Sequence, residues 1–187
     1  MSSVSIAAPG QFFDEVRLPF PHQVDGTGAV IDPVPASPTY GHAIFSATAD
    51  KAANYVLYRL RVPGDLVSSM EIYACFTFRL GGADTGKHAY KLSMANVGGG
   101  AGADAPAFTN EIPLSFAGDP AGAAGDLEVI PSTVLTGWSA ALTPGNIAVV
   151  KLARDGDDGT LDTSSIQSSD VELTLLIPRS RSAAVPS

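Results

Sequence analysis

The chain of 187 residues carries 19 acidic and 11 basic side chains, a net charge of −8. That balance excludes the clustered Lys/Arg footprint that grips phosphate, so no nucleic-acid partner is expected. Charged residues are 16% of the chain, against about 25% in an ordinary soluble domain, yet no stretch is long and apolar enough to span a bilayer, and no membrane partner is expected. A chain with so little charge to coat itself is expected to bury part of its surface in an oligomer or larger assembly. Cys75 is the sole cysteine, which excludes an intrachain disulfide and fits folding in a reducing cytosol by packing alone. The opening MSSVSIAAPG has no basic region followed by an apolar one, so no signal peptide is expected.

In chain order, residues 1–40 differ from the rest. Six of the 14 prolines fall there: Pro9, Pro19, Pro21, Pro33, Pro35 and Pro38. Proline blocks helices and central strands alike, which predicts an extended N-terminal arm over 1–40, with QFFDEVRL (Gln11–Leu18) as one edge strand. The rest, 41–187, reads as one domain. SATADKAAN (Ser46–Asn54) is one of two stretches that could be helical; the other is a short turn near Ser132–Leu142.

From Asn54 onward the pattern has period two, the signature of half-buried strands. YVLYRLRV puts Val56, Tyr58, Leu60 and Val62 on one face and Arg59 and Arg61 on the other. MEIYACFTFRL alternates from Met70 through Ile72, Ala74, Phe76 and Phe78 to Leu80. HAYKLSMA points Tyr90, Leu92 and Met94 inward, and DLEVIPSTVL is a weaker strand. NIAVVKLAR is apolar on both faces as far as Lys151, which predicts a central strand; VELTLLI closes the domain with Val171, Leu173, Leu175 and Ile177 inward. About eight strands with Gly/Pro-rich connections predict an all-β chain: an antiparallel β-sandwich of jelly-roll type. NVGGGAGADAPAFTNE (Asn96–Glu111) has no period and reads as a loop.

Several stretches resemble chemical motifs. GGADTGKH (Gly81–His88) nearly spells a phosphate-binding loop, but His88 replaces the hydroxyl residue that would ligate magnesium, and a strand follows where a helix is required. A hairpin loop is predicted instead. ARDGDDGTLDTSS packs Asp155, Asp157, Asp158 and Asp162 into eight residues. Counted from Asp155, a calcium loop would need a ligand at position five, where Gly159 stands, glycine at six, where Thr160 stands, and glutamate at twelve, where Ile166 stands. Catalytic carboxylates converge from different elements with one of them desolvated, whereas four on one glycine-bearing loop read as hydrated turn residues. His22, His42 and His88 share no metal spacing, no G-x-S-x-G elbow exists, and the histidines read as surface or interface side chains. Trp138, the sole tryptophan, reads as a plug at the end of the sandwich; its other use would be stacking on a sugar. No catalytic, cofactor-binding or metal residue is assigned, and no enzymatic activity is expected.

GWSAALTPGNIAVVKLARDGDDGTLDTSSIQSSDVELTLLI resembles the C-terminal half of small β-sandwich domains in tailed-phage structural proteins. The matching positions are Pro144-Gly145, Arg154-Asp155, Asp162-Thr163 and the final strand from Val171; YRLRVPGDL matches the first half, and the likeness spans 54–178. The resemblance implies a non-enzymatic virion structural protein, made in the host cytoplasm. More narrowly it implies a capsid decoration or cement protein, a homotrimer seated where major capsid protein subunits meet, with the arm lying across its neighbours. The alternative is a tail or fibre module that binds a host receptor or carbohydrate through Trp138 and the Asn96–Glu111 loop.

Overall fold

The computed structural model describes residues 10–18, 23–25, 29–32, 42–52, 54–80, 82–98, 107–117, 127–166 and 168–181. Alternating strands bury one face each by pairing into two antiparallel sheets that pack face to face. The strands are β1 (Gln11–Leu18), β2 (Gln23–Asp25), β3 (Ala29–Asp32), β4 (His42–Phe45), β5 (Tyr55–Arg61), β6 (Ile72–Leu80), β7 (Lys87–Val97), β8 (Thr109–Ala117), β9 (Leu127–Leu135), β10 (Ile147–Arg154) and β11 (Ser168–Ser180). A single helical turn, α1 (Trp138–Ala141), precedes β10. One sheet runs β3-β4-β11-β6-β9, with β1 also on β11; the other runs β2-β5-β10-β7-β8.

This order is a jelly roll. From β4 to β11 every consecutive pair of strands changes sheet except β7–β8, the alternation that two interleaved Greek keys produce. The core lies between the sheets on the faces the alternation marked. Val56, Tyr58, Ile72, Phe76, Phe78, Tyr90, Leu92, Met94, Val150, Leu152, Leu173 and Leu175 are all essentially inaccessible. Tyr90 is the hub of the aromatic cluster, with Phe45, Phe76 and Phe78 ring centroids at 5.5, 5.5 and 5.9 Å. Met70 lies before β6 and is half-buried rather than core.

The proline-rich 1–40 stretch supplies strands to both sheets. β1 pairs with β11 over its whole length, from Gln11↔Ser180 to Leu18↔Leu173, and Leu18 joins the core. β2 pairs with β5, and β3 with β4. The other positions of 1–40 lie outside the described residues, apart from Gly10. The proline of β9 obeys the edge rule. β9 is an edge strand, and its register on β6 shifts between Ala74 and Phe76, opposite Pro131, so the missing N–H falls at a bulge.

Two local expectations are corrected. Ser46–Asn54 is not helical but a bend-and-turn connection, pinned by the buried Asn54 side chain. Asn54 Oδ1 accepts from Ser46 N at 3.1 Å, and its Nδ2 donates to Ser46 O at 2.9 Å and Arg154 O at 3.2 Å. Gly81–His88 is not a hairpin: it joins β6 in one sheet to β7 in the other. Gly86 serves that corner, since a Cβ there would stand 2.6 Å from Ser164 Cα and Thr163 O.

Candidate functional site

The four aspartates after β10 divide their work. Asp158 is a turn residue: its Oδ1 accepts from Thr160 N at 3.0 Å and Leu161 N at 3.1 Å. Asp162 is not a hydrated loop residue. Its carboxylate and the Arg154 guanidinium are both fully buried. Arg154 donates through Nε to Oδ2 at 2.9 Å, through Nη2 to Oδ1 at 3.2 Å, and through Nη1 to Ile166 O at 2.7 Å. Ala89 N and Ser164 N complete the carboxylate's partners at 3.1 and 3.2 Å. The whole group is a clamp that ties the β10–β11 crossover to β7.

Asp155 is also buried, and accepts from Lys91 Nζ at 2.6 Å with Lys51 Nζ at 3.7 Å. Burial works to raise its carboxyl, but the Lys91 hydrogen bond and the two lysine charges outweigh it and hold the group below the usual range. Exposed Asp50 and Asp157 bring carboxylate oxygens within 4.8 Å of those of Asp155, the one such acidic group among the described residues. Loss of some hydration first, then the Asp50 and Asp155 charges, raise Asp157. Because Lys91 and Lys51 already balance Asp155, a chelator is expected to leave the melting temperature of the protein unchanged. A chelator-dependent fall of several degrees would show that these three aspartates hold a structural cation.

The histidines part company. His22 lies outside the described residues, and His42 is the first residue of β4. His88 is not a surface side chain but fully buried, with Nε2 2.7 Å from Asp84 Oδ2. Burial foremost, then the Arg154 charge, lowers its pKa and favours the neutral ring.

Trp138 closes one end of the sandwich. It is 1% exposed, and its indole N–H donates to Asn110 O at 3.0 Å. The ring therefore plugs the sandwich end, as expected, and offers no stacking platform for the sugar-binding alternative. The Asn96–Glu111 stretch is not a loop throughout: Asn96 and Val97 end β7 and Thr109–Glu111 begin β8, while residues 99–106 lie outside the described residues.

The open chemistry is on the outer face of the five-stranded sheet. β10 lies between β5 and β7, and the register sets outward side chains in rows: Arg61–Ile147–Val97, Arg59–Val149–Ala95, Leu57–Lys151–Ser93 and Tyr55–Ala153–Lys91. One half of the face is roofed. Leu57, Ala95 and Val149 are buried beneath Tyr55, Val97 and Phe108, and Lys151 Nζ sits 4.0 Å from the Tyr55 ring centroid, a cation–π contact. The other half is a groove of about 310 Å³ lined by Arg59, Leu60, Arg61, Val97, Ile147 and Val149. Ile147 stands 38% exposed on its floor. Such a groove joins apolar floor to guanidinium donors, the combination that fixes a polar ligand by its ring faces and its oxygens.

No protein-family model matches the chain, and no curated protein sequence matches it. Among solved structures it is similar to a family 36 carbohydrate-binding module in complex with calcium and xylotriose, 15% identical, covering 86% of this chain and 97% of that one at a TM-score of 0.40. It is similar also to a family 11 carbohydrate-binding module from Clostridium thermocellum in complex with a β-1,3-1,4-mixed-linked tetrasaccharide, 16% identical, covering 95% and 94% at a TM-score of 0.39. The structure of the infectious bursal disease virus Gx strain is 15% identical over 84% of this chain and 41% of that one, at a TM-score of 0.32. What those proteins bind is their own property; the jelly-roll assignment here rests on strand order.

Sequence reasoning placed Arg59 and Arg61 opposite the core face but missed the groove, which exists only once β5, β10 and β7 lie side by side. It missed the Arg154–Asp162 clamp as well, although parity pointed there: Arg154 continues the inward series Ala148, Val150, Leu152.

Proposed function

We propose that the chain is a non-enzymatic recognition module that binds carbohydrate through the outer face of its five-stranded sheet. The observation that carries this is the groove beside Ile147, where exposed apolar surface meets two exposed arginines. Sugar rings present C–H faces to apolar floor and hydroxyls to fixed donors, so a shallow site of this composition suits them. Four of the described carboxylates are held by cations of the chain: Asp162 by Arg154, Asp155 by Lys91, and Asp14 and Asp65 by Arg179. The virion reading is the second proposal, favoured by the low charge content. It seats a trimer of this chain on the major capsid protein, in the virion, with the 1–40 arm lying across its neighbours.

The test is a titration of the full chain against a panel of soluble neutral and acidic polysaccharides, with Ile147→Asp as the variant. Binding to at least one glycan is expected, weakened about tenfold or more by a charge buried in the groove floor. No binding to any glycan, together with decoration of capsids, would transfer the assignment to the virion reading.

A further inference from the structure

We infer that the carbohydrate is acidic and that Arg59 and Arg61 hold its carboxylates; this rests on the carbohydrate reading above. The outward positions of β5, β7 and β10 carry Arg59, Arg61, Lys87, Lys91 and Lys151, five of the chain's 11 basic residues, and no Asp or Glu. Asp155 and Glu111 balance Lys91 at one end of these three strands, so on a chain with 19 acids the unbalanced positive charge lies toward Arg59 and Arg61, a local field that selects anions.

Among those basic residues the two groove arginines stand apart. Arg17, Lys91, Arg154 and Arg179 each hold a carboxylate of the chain, and Lys151 lies on Tyr55. Arg59 and Arg61 are exposed, and among the described residues neither guanidinium has a hydrogen bond or an ion pair. A guanidinium is a planar fork matched to a carboxylate, which it grips through two parallel N–H donors. Two residues apart on one strand, the forks are spaced about 7 Å along the groove wall, one for each of two carboxylates on a polymer. The apolar floor between them and Val97 takes the ring faces.

The size of the site favours a sugar over a protein partner. A groove of about 310 Å³ is at the lower end of small-ligand sites, which run from roughly 300 to 1,000 Å³. A stable protein partner needs about 800 Å² from each side. The ligand class is therefore a polyuronate or a similar carboxylated glycan.

The experiment is affinity electrophoresis of the full chain in gels containing polygalacturonate, its fully methyl-esterified form, or poly-L-glutamate. It compares the parent chain with Arg59→Gln/Arg61→Gln and with Arg79→Gln, a one-charge control on the other sheet. Polygalacturonate is expected to retard the parent chain and the Arg79→Gln control alike. Retardation is expected to be about tenfold weaker or more for the double variant and for the ester, since each lost fork removes a charge-assisted pair. Equal binding to the ester would overturn the acidic assignment while leaving the carbohydrate reading intact, and no binding to either glycan would sink both. Equal or tighter binding to poly-L-glutamate would replace the glycan by an acidic peptide. Unchanged binding by the double variant, or equal loss with Arg79→Gln, would remove the groove from the account.

Discussion

Replacing Asp162 by Ala is expected to cost about 3–5 kcal/mol of folding stability, the range for removing one partner of a buried ion pair. The variant leaves the Arg154 guanidinium in a fully buried position with only Ile166 O to receive it. It also strips acceptors from Ala89 N and Ser164 N. The cost is one of desolvation, not of a lost attraction, so the companion experiment is the double variant Arg154→Met/Asp162→Leu. That variant is expected to recover much of the loss, because apolar replacement of both partners removes the stranded charge. Urea unfolding of the three proteins measures both effects. A single-variant cost below about 1 kcal/mol would mean that the pair is hydrated, contrary to its burial.

Phe76→Ala is expected to cost a similar amount, about 3–5 kcal/mol, as the sum of lost transfer energy and the cavity left behind. Phe76 is 1% exposed and packs against Phe78 and Tyr90 in the aromatic cluster. Its neighbours come from both sheets, so no single element can shift to fill the space. Thermal or denaturant unfolding checks it, and a cost under about 1 kcal/mol would show that the β6 register is wrong.

How much of this was legible in the sequence depended on locality. Strands buried on one face announce themselves: β5, β6 and β7 alternate cleanly, β11 does so from Leu173, and the structure buries the positions that alternation marks within those strands, while β10 shows itself as central by being apolar on both faces. β8 did not announce itself. It carries Asn110 at a φ of 52° and Pro113, both unfavourable in a strand, and an edge position tolerates them. The Gly81–His88 connection looked like a hairpin because two good strands flank it; nothing local records that the chain changes sheet there. The aspartates were read as one turn because they are close in sequence. Their separate fates depend on Arg154 at the end of β10 and Lys91 on β7, contacts that the fold supplies. The binding face was legible only as outward arginines on one strand, since its floor comes from residues about 40 and 90 positions further along the chain, Val97 and Ile147.

The most direct test of the outer face of the five-stranded sheet as the ligand-binding surface is a backbone amide NMR titration of the labelled chain with polygalacturonate. The amides of Arg59, Arg61, Val97, Ile147 and Val149, which line the groove, are expected to shift together and to saturate at one ligand concentration. The amides around Trp138 and those of Cys75 and Arg79 on the opposite sheet are expected to stay in place. Shifts confined to the Trp138 end or to the Cys75–Arg79 face, with the groove amides unmoved, would contradict that assignment.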